Sequence, residues 1–487
     1  MSWTPVQNEI LICNDKTIDQ FKLYAELLTL FLKETSFFTE SYILDYFVKE
    51  LWTKLPVGWL EVVSNLEVHD LEAFLNPENS IRYREPWPLS LLAFRSSAFA
   101  LTALRKSIKS PEVIKKFLNE NFFEDEEGRN NTITSEKTKL SFSTNEFEEK
   151  SGQHKNIPEF CRRHVKPKKQ HEIFRMAQLS DIVFKHFGLK FAIDMGSGQG
   201  HLSRLLALCY NVKMATIEAN QGHVSGAFQF DQQALTALEH SKKKADTSQN
   251  SVISNSTSLP HHVEGSITVA SSDSYLEKVL KDTWNETFDE NKESFALMGL
   301  HACGNLTETI LKTFVKQKHC EVLLSIGCCY MKLESNSDGD GYPLSCFVKS
   351  LPHHALSYEA KELACHAIEM YIQRIHVNAP ALKIHCYRAT LEKCIIHHDP
   401  SLKHLGLRGV KHAETMEFHE YAERALSRAT ISIPKEYLLS EEVKSCVERW
   451  KEVLVFYSLR LIVAPVVESL ILVDRLIYLY EQGKNFF

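Results

Sequence analysis

A glycine-rich turn is the part of this chain whose residue types and spacing most clearly predict chemistry. Gly196, Gly198 and Gly200 alternate in the stretch F-A-I-D-M-G-S-G-Q-G-H-L, after a short apolar run and before an apolar run of helical periodicity. Glycine tolerates positive φ and lets a ligand approach the backbone, while the first turn of a helix carries unpaired N–H groups. The spacing therefore favours a ligand-binding turn between a strand and a helix.

An acidic residue in the next predicted strand strengthens this interpretation. Glu218 follows the apolar run at 212–217, so it closes the second strand. A carboxylate there can accept hydrogen bonds from both ribose hydroxyls of an adenosine. We therefore predict a nucleoside-cofactor site, against the alternative of a purely structural turn. The predicted cofactor residues are Asp194, Gly196, Ser197, Gly198, Gly200 and Glu218.

The order of the predicted elements places this turn in a parallel α/β sheet. Strands are predicted at 191–195, 212–217, 266–270, 295–300 and 321–326, and helices are predicted between them. Such alternation indicates a doubly wound sheet with right-handed crossovers. The carboxyl ends of its strands meet at one crevice, which is where ligands bind in sheets of this kind.

The residues after strands four and five form a second group that could do chemistry. The fourth strand runs into G-L-H-A-C-G, which contains His301 and Cys303, and the fifth runs into S-I-G-C-C-Y, which contains Cys328, Cys329 and Tyr330. His301 could act as a general base because the pKa of imidazole lies near neutral pH, or it could orient the loop. Tyr330 could stack on a flat substrate ring or simply pack.

The cysteines of this group leave three interpretations open. Cys303 after strand four, with Cys328 or Cys329 after strand five, resembles the cysteine arrangement of RNA cytosine-C5 methyltransferases, which implies a thiolate that attacks C6 of a pyrimidine, provided that its pKa is lowered. A metal site that includes His301 is conceivable, but none of the strong paired ligand spacings occurs, so no metal is predicted. The third interpretation is that small buried cysteines line the floor of the cofactor pocket.

These motifs resemble the class I, seven-stranded S-adenosylmethionine-dependent methyltransferases. The D-x-G-x-G-x-G turn and the acid that closes the second strand carry the resemblance. The segments HVKPKKQHEI, YPLSCFV, ACHAIEMY and HCYRATLE also resemble methyltransferase-like proteins, one of which is named for a ribosomal RNA adenine dimethylase domain. The resemblance implies a Rossmann-like methyltransferase sheet with S-adenosylmethionine as the cofactor. It also implies an acid after strand three beside the adenine, for which Asp273 is the candidate.

The resemblance makes RNA, possibly ribosomal RNA, the first candidate for the methyl acceptor, and protein the alternative. A noncatalytic scaffold with a methyltransferase fold is the alternative from another functional class. Enzymes that methylate exocyclic amines commonly carry N/D-P-P-Y/F after strand four, whereas this chain has H-A-C-G. The cytosine-C5 methyltransferases have a proline before their cysteine, and some tRNA 2′-O-methyltransferases have histidines after a Cys-Cys pair. Both features are missing here, so the acceptor atom stays open.

A short basic segment precedes the predicted sheet. The net charge of the chain is -6, so any nucleic-acid contact must come from a local patch. Such a patch could contact phosphates at the entrance to the sheet, or it could be a solvated helix face. Its residues are Arg162, Arg163, Lys166, Lys168 and Lys169.

Composition and periodicity divide the 487 residues into four regions. A hydrophobic content of 44% and a charged content of 24% exclude fibrous and wholly disordered proteins. We predict a helical region at 1–123, a flexible linker at 124–156, a methyltransferase core at 157–333 with a disordered loop near 243–262, and a helical elaboration at 334–487. No antiparallel strand pair is visible after strand five, so we expect the edge that completes class I sheets to be missing.

The apolar run Val453–Leu472 is long enough to span a bilayer, but it contains an arginine, a proline and a glutamate. These residues roughly offset the gain from its apolar side chains on the insertion scale. We therefore predict a buried helix and no membrane contact.

The start of the chain lacks a secretory pattern, and twelve cysteines are too few for a disulfide scaffold, which favours a cytoplasmic or nuclear location.

Overall fold

The structure is a computed structural model. It describes residues 13–78, 81, 83–103, 111–122, 152–245, 258–268, 272–284, 288, 292–334, 341–429 and 431–484. Most of the predicted linker at 124–156 and residues 246–257 of the predicted loop near 243–262 lie outside these ranges.

Helices dominate both ends of the chain, and strands occur in its middle. The first helices are α1 (Ile18–Glu34), α2 (Ser36–Glu40), α3 (Val57–Val63), α4 (Asp70–Leu75) and α5 (Leu89–Leu101). The middle of the chain contains α6 (Pro111–Phe122), α7 (Glu159–Arg162), α8 (Pro167–His186), β1 (Phe191–Met195), α9 (His201–Tyr210), β2 (Lys213–Glu218), α10 (Gln221–Ala245), β3 (His261–Glu264), α11 (Ser272–Trp284), β4 (Phe295–Leu300), α12 (Leu306–Lys316) and β5 (Cys320–Ile326).

The last part of the chain is helical again. Its helices are α13 (Cys346–Ser350), α14 (Tyr358–Leu363), α15 (Ile368–Asn378), α16 (Ile384–His398), α17 (Phe418–Leu426), α18 (Lys435–Leu438), α19 (Glu441–Glu448) and α20 (Trp450–Glu481). Short 3-10 turns occur at Ile43–Asp45, Leu51–Lys54, Tyr330–Lys332, Ala379–Lys383, Pro400–Leu402 and Ala413–Thr415.

These elements form two compact units. The helical unit contains the described residues of 1–104 and 330–487, and the sheet unit contains those of 105–329. The sequence separates an N-terminal helical region from a C-terminal helical elaboration, but the structure packs both into the helical unit. Helices α1 and α5 pack on α20 because their apolar faces share one core with it.

Helix α20 is the centre of the helical unit. By length and composition it could cross a membrane, yet 94% of its most apolar 18-residue stretch is buried inside this unit. Arg460 lies fully buried in this helix, and its Nε donates to the carbonyl of Phe38 at 3.1 Å. A helix that is apolar on all sides is expected where neighbouring helices surround it. The burial agrees with the predicted buried helix.

The sheet unit contains a parallel sheet in the order β3-β2-β1-β4-β5. The predicted doubly wound, Rossmann-like fold is confirmed. The chain leaves β1 toward β2 on one side and later returns to β4 on the other, so the topological switch point lies between β1 and β4. The described residues contain no antiparallel strand pair after β5.

Four strands lie within about one residue of their predicted positions, but the third prediction is wrong. The predicted strand at 266–270 is replaced by His261–Glu264, a segment whose H-H-V-E sequence does not look apolar. It is a strand because its backbone pairs with β2 and the imidazole of His262 finds polar partners inside the unit. Tertiary contacts therefore override the local pattern.

We predict that Asp474→Ala destabilises the helical unit. Asp474 of α20 is buried and accepts hydrogen bonds from the backbone N–H of Leu344 at 2.7 Å and from the N–H and Oγ of Ser345 at 2.9 and 2.7 Å. The alanine leaves buried donors unpaired, so the free energy of unfolding in urea should fall by about 2–5 kcal/mol.

Glu481→Ala is the matched control for this prediction. Glu481 accepts the N–H groups of Cys346 and Phe347 at 2.8 Å each at an exposed position, where water can replace it. The substitution should therefore lower the free energy of unfolding by less than about 1 kcal/mol. Equal losses in the two variants would contradict the assignment of Asp474.

Candidate functional site

The glycine turn follows β1 at the switch point of the sheet. Gly200 has a φ of +65°, and a β-carbon there would lie 2.7 Å from Cε1 of His262. Gly198 has a φ of +57°, but a β-carbon there would meet no heavy atom within 4 Å. Packing therefore requires glycine at 200, whereas the space beside 198 is open to a ligand.

Glu218 fastens this turn to the end of β2. Its Oε2 accepts the N–H of Gly198 at 2.8 Å, and its Oε1 accepts the N–H of Asn220 at 2.9 Å. The side chain is 14% exposed. Each carboxylate oxygen has two lone pairs, so each can accept one further hydrogen bond from a ligand hydroxyl.

Two polar side chains of the predicted site are buried beside the turn. Asp194 accepts a hydrogen bond of 2.6 Å from Oγ of Ser203, which ties the end of β1 to α9. Burial raises the pKa of the Asp194 carboxyl to about 6, an effect opposed by the hydrogen bond from Ser203 and the charge of Lys169. The hydroxyl of Ser197 is buried and has no hydrogen-bond partner among the described residues.

A buried polar network under the turn was missed by the sequence analysis. The guanidinium of Arg204 forms an ion pair with Asp231, and a second oxygen of Asp231 lies 2.8 Å from Nε2 of His262. Nδ1 of His262 in turn lies 2.7 Å from the hydroxyl of Thr216. Arg204 also donates to the carbonyl of Gln199 in the turn at 3.1 Å. An arginine within the apolar run of α9 was the one visible hint of this network.

The structure brings together four residues that the sequence predicts could take part in the reaction. These reaction-side residues are His301 and Cys303 after β4, and Cys328 and Cys329 after β5. Sγ of Cys328 lies 3.5 Å from Sγ of Cys303, 3.5 Å from Sγ of Cys329 and 3.4 Å from Nδ1 of His301. The other ring nitrogen of His301 lies 2.8 Å from Oε2 of Glu172 on α8, a partner that the sequence analysis missed. Glu172 therefore orients the imidazole.

The environment of Cys328 bears on the proposed thiolate chemistry. Burial and the neighbouring thiols raise the pKa of Cys328 well above its usual value. Its thiol is therefore neutral at physiological pH in the absence of a bound group. A reactive cysteine requires the opposite shift, so this environment disfavours Cys328 as a nucleophile.

Tyr330 belongs to the helical unit and not to the sheet unit that contains the other reaction-side residues. Its hydroxyl donates to Oε1 of Glu468 at 2.9 Å, and the guanidinium of Arg475 lies 5.7 Å from its ring centroid. Both contacts lie within the helical unit. These contacts favour the interpretation that Tyr330 is a packing residue.

The basic segment lies on α7, on the loop after it and at the start of α8. Lys166 and Lys168 are exposed, and Lys168 lies 3.8 Å from Glu172. Arg162 is half-buried and donates to the carbonyl of His154, while Arg163 pairs with Glu159 at 3.0 Å. Burial lowers the pKa of His201 beside the turn, and the charges of Arg204 and Lys169 lower it further.

The argument for Asp273 does not hold in the structure. It depended on a third strand at 266–270, but β3 ends at Glu264 and Asp273 lies in helix α11. The acid at the end of β3 is Glu264, whose Cα is paired with that of Glu218. The side chain of Asp273 lies outside the described residues.

Comparison with known proteins identifies the sheet unit. Residues 168–336 match a family model described as "Methyltransferase domain". The matched range covers most of the sheet unit, which is therefore a methyltransferase-like domain, called the methyltransferase domain below. This range contains the glycine turn, Glu218 and the His301–cysteine group, and it confirms the predicted methyltransferase.

Curated relatives resemble the chain beyond this domain. The human "Probable methyltransferase-like protein 25" is 23% identical in an alignment of 424 residues; the alignment covers 65% of this chain and 70% of the relative. The mouse protein of the same name is 22% identical over 425 residues, with the same coverage of 65% and 70%. No solved structure matches the chain significantly.

We predict that Asp231→Asn destabilises the methyltransferase domain. Asp231 and Arg204 each expose only 2% of their side chains, so the variant leaves a buried guanidinium without a counter-charge. The free energy of unfolding in urea should fall by about 3–5 kcal/mol. Asp282→Asn, at an exposed position of α11, should change it by less than about 0.5 kcal/mol. Similar decreases in the free energy of unfolding for Asp231→Asn and Asp282→Asn would show that the ion pair is not important for the stability of the fold.

Proposed function

We propose that the methyltransferase domain binds S-adenosylmethionine at the glycine turn and methylates RNA. Residues of the turn fit such a cofactor. The space beside Gly198 is open, Glu218 keeps acceptor capacity for two ribose hydroxyls, and the buried hydroxyl of Ser197 lacks a partner among the described residues. An unpaired buried hydroxyl is costly unless a ligand or water satisfies it.

In this proposal the domain contributes binding and alignment. The cofactor supplies a methyl group on a sulfonium that is already a good electrophile. Glu218 would hold the ribose, while Asp194 and the Arg204–Asp231 pair keep the turn in place. In-line positioning of the acceptor then accounts for most of the rate enhancement. The proposal therefore does not require a reactive cysteine or a basic His301.

The start of α8 is the observation that favours an anionic acceptor. Lys169 influences the pKa values of Asp194 and His201 beside the turn. Lys168 lies near Glu172, whose carboxylate contacts His301 at the end of β4. One basic segment, in which Lys168 is exposed and Lys169 is half-buried, thus lies near both the glycine turn and the end of β4. In a chain of net charge -6, this local concentration of cations suits a phosphate backbone.

We predict that Glu218→Ala weakens cofactor binding by at least about 10-fold, since a ribose contact to a carboxylate is worth about 1.5–3 kcal/mol. Isothermal titration calorimetry with S-adenosylmethionine measures the change. Gly198→Ala should also weaken binding, because its β-carbon would project into the open space beside the turn. Glu277→Gln, at an exposed position of α11, is the matched control and should bind normally. Unchanged affinity in both Glu218→Ala and Gly198→Ala would refute this site.

The acceptor class is testable with methyl-labelled cofactor and a cell extract. Label that nuclease removes and protease leaves supports RNA, whereas the reverse pattern identifies a protein acceptor. Cofactor binding without label in either fraction would indicate a noncatalytic scaffold.

If RNA is the acceptor, we predict that the double variant Lys166→Gln with Lys168→Gln raises the KM for RNA. It should also lower the salt dependence of RNA binding. Each lost phosphate contact should reduce the slope of log affinity against log salt by about 1. Affinity for S-adenosylmethionine should not change. Lys278→Gln on α11 is the matched control. Salt dependence equal to that of the unmodified chain would exclude the basic segment as a phosphate contact.

A further inference from the structure

We propose that Cys303, Cys328, Cys329 and His301 bind one Zn²⁺ ion at the carboxyl ends of β4 and β5. This inference is independent of the methyl-transfer proposal, because it concerns a structural metal and not the cofactor. The sequence analysis predicted no metal, since these ligands show none of the paired spacings of common zinc sites. Only the folded chain brings them together.

The distances from Cys328 to the other proposed ligand atoms are close to the edges of a tetrahedral zinc site. Zn–S bonds of about 2.3 Å and Zn–N bonds of about 2.0–2.1 Å give tetrahedral edges of about 3.8 Å between sulfurs and about 3.5 Å between sulfur and nitrogen. Sγ of Cys328 lies 3.5 Å from each of the other two sulfurs and 3.4 Å from Nδ1 of His301. The three sulfurs all lie within 4.8 Å of one another. Around an ion the sulfur–sulfur distances at Cys328 would widen slightly, and Nδ1 of His301, which is not among the atoms that all lie within 4.8 Å of one another, would move toward the other two sulfurs.

His301 also has the second partner that zinc-binding histidines commonly have. Its Nε2 lies 2.8 Å from Oε2 of Glu172, so an N–H at Nε2 would donate to that carboxylate. This tautomer leaves a lone pair on Nδ1, which faces Cys328. A carboxylate behind a ligating histidine orients the ring and raises its basicity. Glu172 is therefore a positioning residue for the proposed ion.

The backbone of two adjacent strands builds this cluster. The N–H groups of His301 and Ala302 donate to the carbonyl of Ile326 at 3.0 and 3.2 Å, which fixes the end of β4 against the end of β5. His301 has a φ of +66° and Gly304 has a φ of +59°, so the chain turns sharply on both sides of Cys303. Positive φ is uncommon outside glycine, and a histidine that adopts it indicates a demanding local geometry.

The ligand types select zinc among the common metals. Thiolates and imidazole in a tetrahedral set favour Zn²⁺, whereas Mg²⁺ and Ca²⁺ require oxygen ligands. Four protein ligands would close the coordination shell, which is typical of structural zinc. The three cysteines are free thiols and are not joined by a disulfide. Ligation would deprotonate the thiols and release their protons to solvent, and it would remove Cys303 from the list of nucleophiles.

Metal analysis of the full chain tests the proposal. Protein purified under reducing conditions without chelator should contain one zinc per chain by mass spectrometry. After zinc removal, titration with Co²⁺ alone should give thiolate charge-transfer bands and the intense visible bands of a tetrahedral site. Cys328→Ser and Cys303→Ser should lose these bands. Cys346→Ser, which removes an exposed thiol of the helical unit, should keep one metal per chain.

A milder variant keeps the test decisive if the serine variants do not fold. Glu172→Gln retains all four ligands and should weaken zinc affinity about 10- to 100-fold. Zinc release measured with a competing chelator would show this change, and far-UV circular dichroism would confirm the fold.

Three outcomes would overturn the proposal. The first is a full chain that takes up neither zinc nor cobalt, and the second is a cobalt spectrum without thiolate bands. The third is an equal loss of metal in Cys346→Ser and Cys328→Ser. Metal content and cobalt spectra do not depend on methyl transfer, so failure here leaves the proposed function untouched. Failure of cofactor binding likewise leaves the zinc proposal untouched.

Discussion

The ion pair between Arg204 and Asp231 lies buried beneath the glycine turn, and the geometry of the candidate cofactor site depends on it. A buried guanidinium is tolerated only when a carboxylate and hydrogen-bond acceptors surround it. Asp231 supplies the charge, and the carbonyl of Gln199 supplies an acceptor that belongs to the turn itself. The pair therefore holds the turn from below while Glu218 holds it from the side.

The same network explains which glycine has a packing role and which has room for a ligand. His262 bridges Asp231 and Thr216, and its ring occupies the space that a side chain at 200 would need. No comparable neighbour stands beside Gly198. A polar network that satisfies its own charges thus leaves one open side on the turn, and that side is where the proposed cofactor would approach.

Helix α8 carries the residues of the methyltransferase domain that would face the proposed acceptor. Its first turns carry Lys168 and Lys169, and one turn later Glu172 orients His301. A cationic surface and a carboxylate are therefore presented by one rigid element. If the zinc site forms, the ends of β4 and β5 are also held rigid, and the acceptor pocket would owe its shape to a metal rather than to a reactive thiol.

Sequence reasoning predicted much of the fold because apolar periodicity is local. It placed β1, β2, β4 and β5 and the glycine turn, since buried parallel strands have apolar runs and the turn needs glycine. It misplaced β3 because His262 is polar and is buried only through partners on other elements. It separated the two helical ends of the chain because periodicity does not reveal which helices share a core.

The sequence by itself determined the residue types of the glycine turn, the acid at the end of β2 and the buried character of the apolar run in α20. Backbone conformation and burial impose these features locally, so they are visible along the chain. Only the tertiary structure decided the rest. It brought Glu172 to His301, Asp231 to Arg204 and Cys303 to Cys328, because each pair comes from elements distant in sequence that meet only when the sheet is formed.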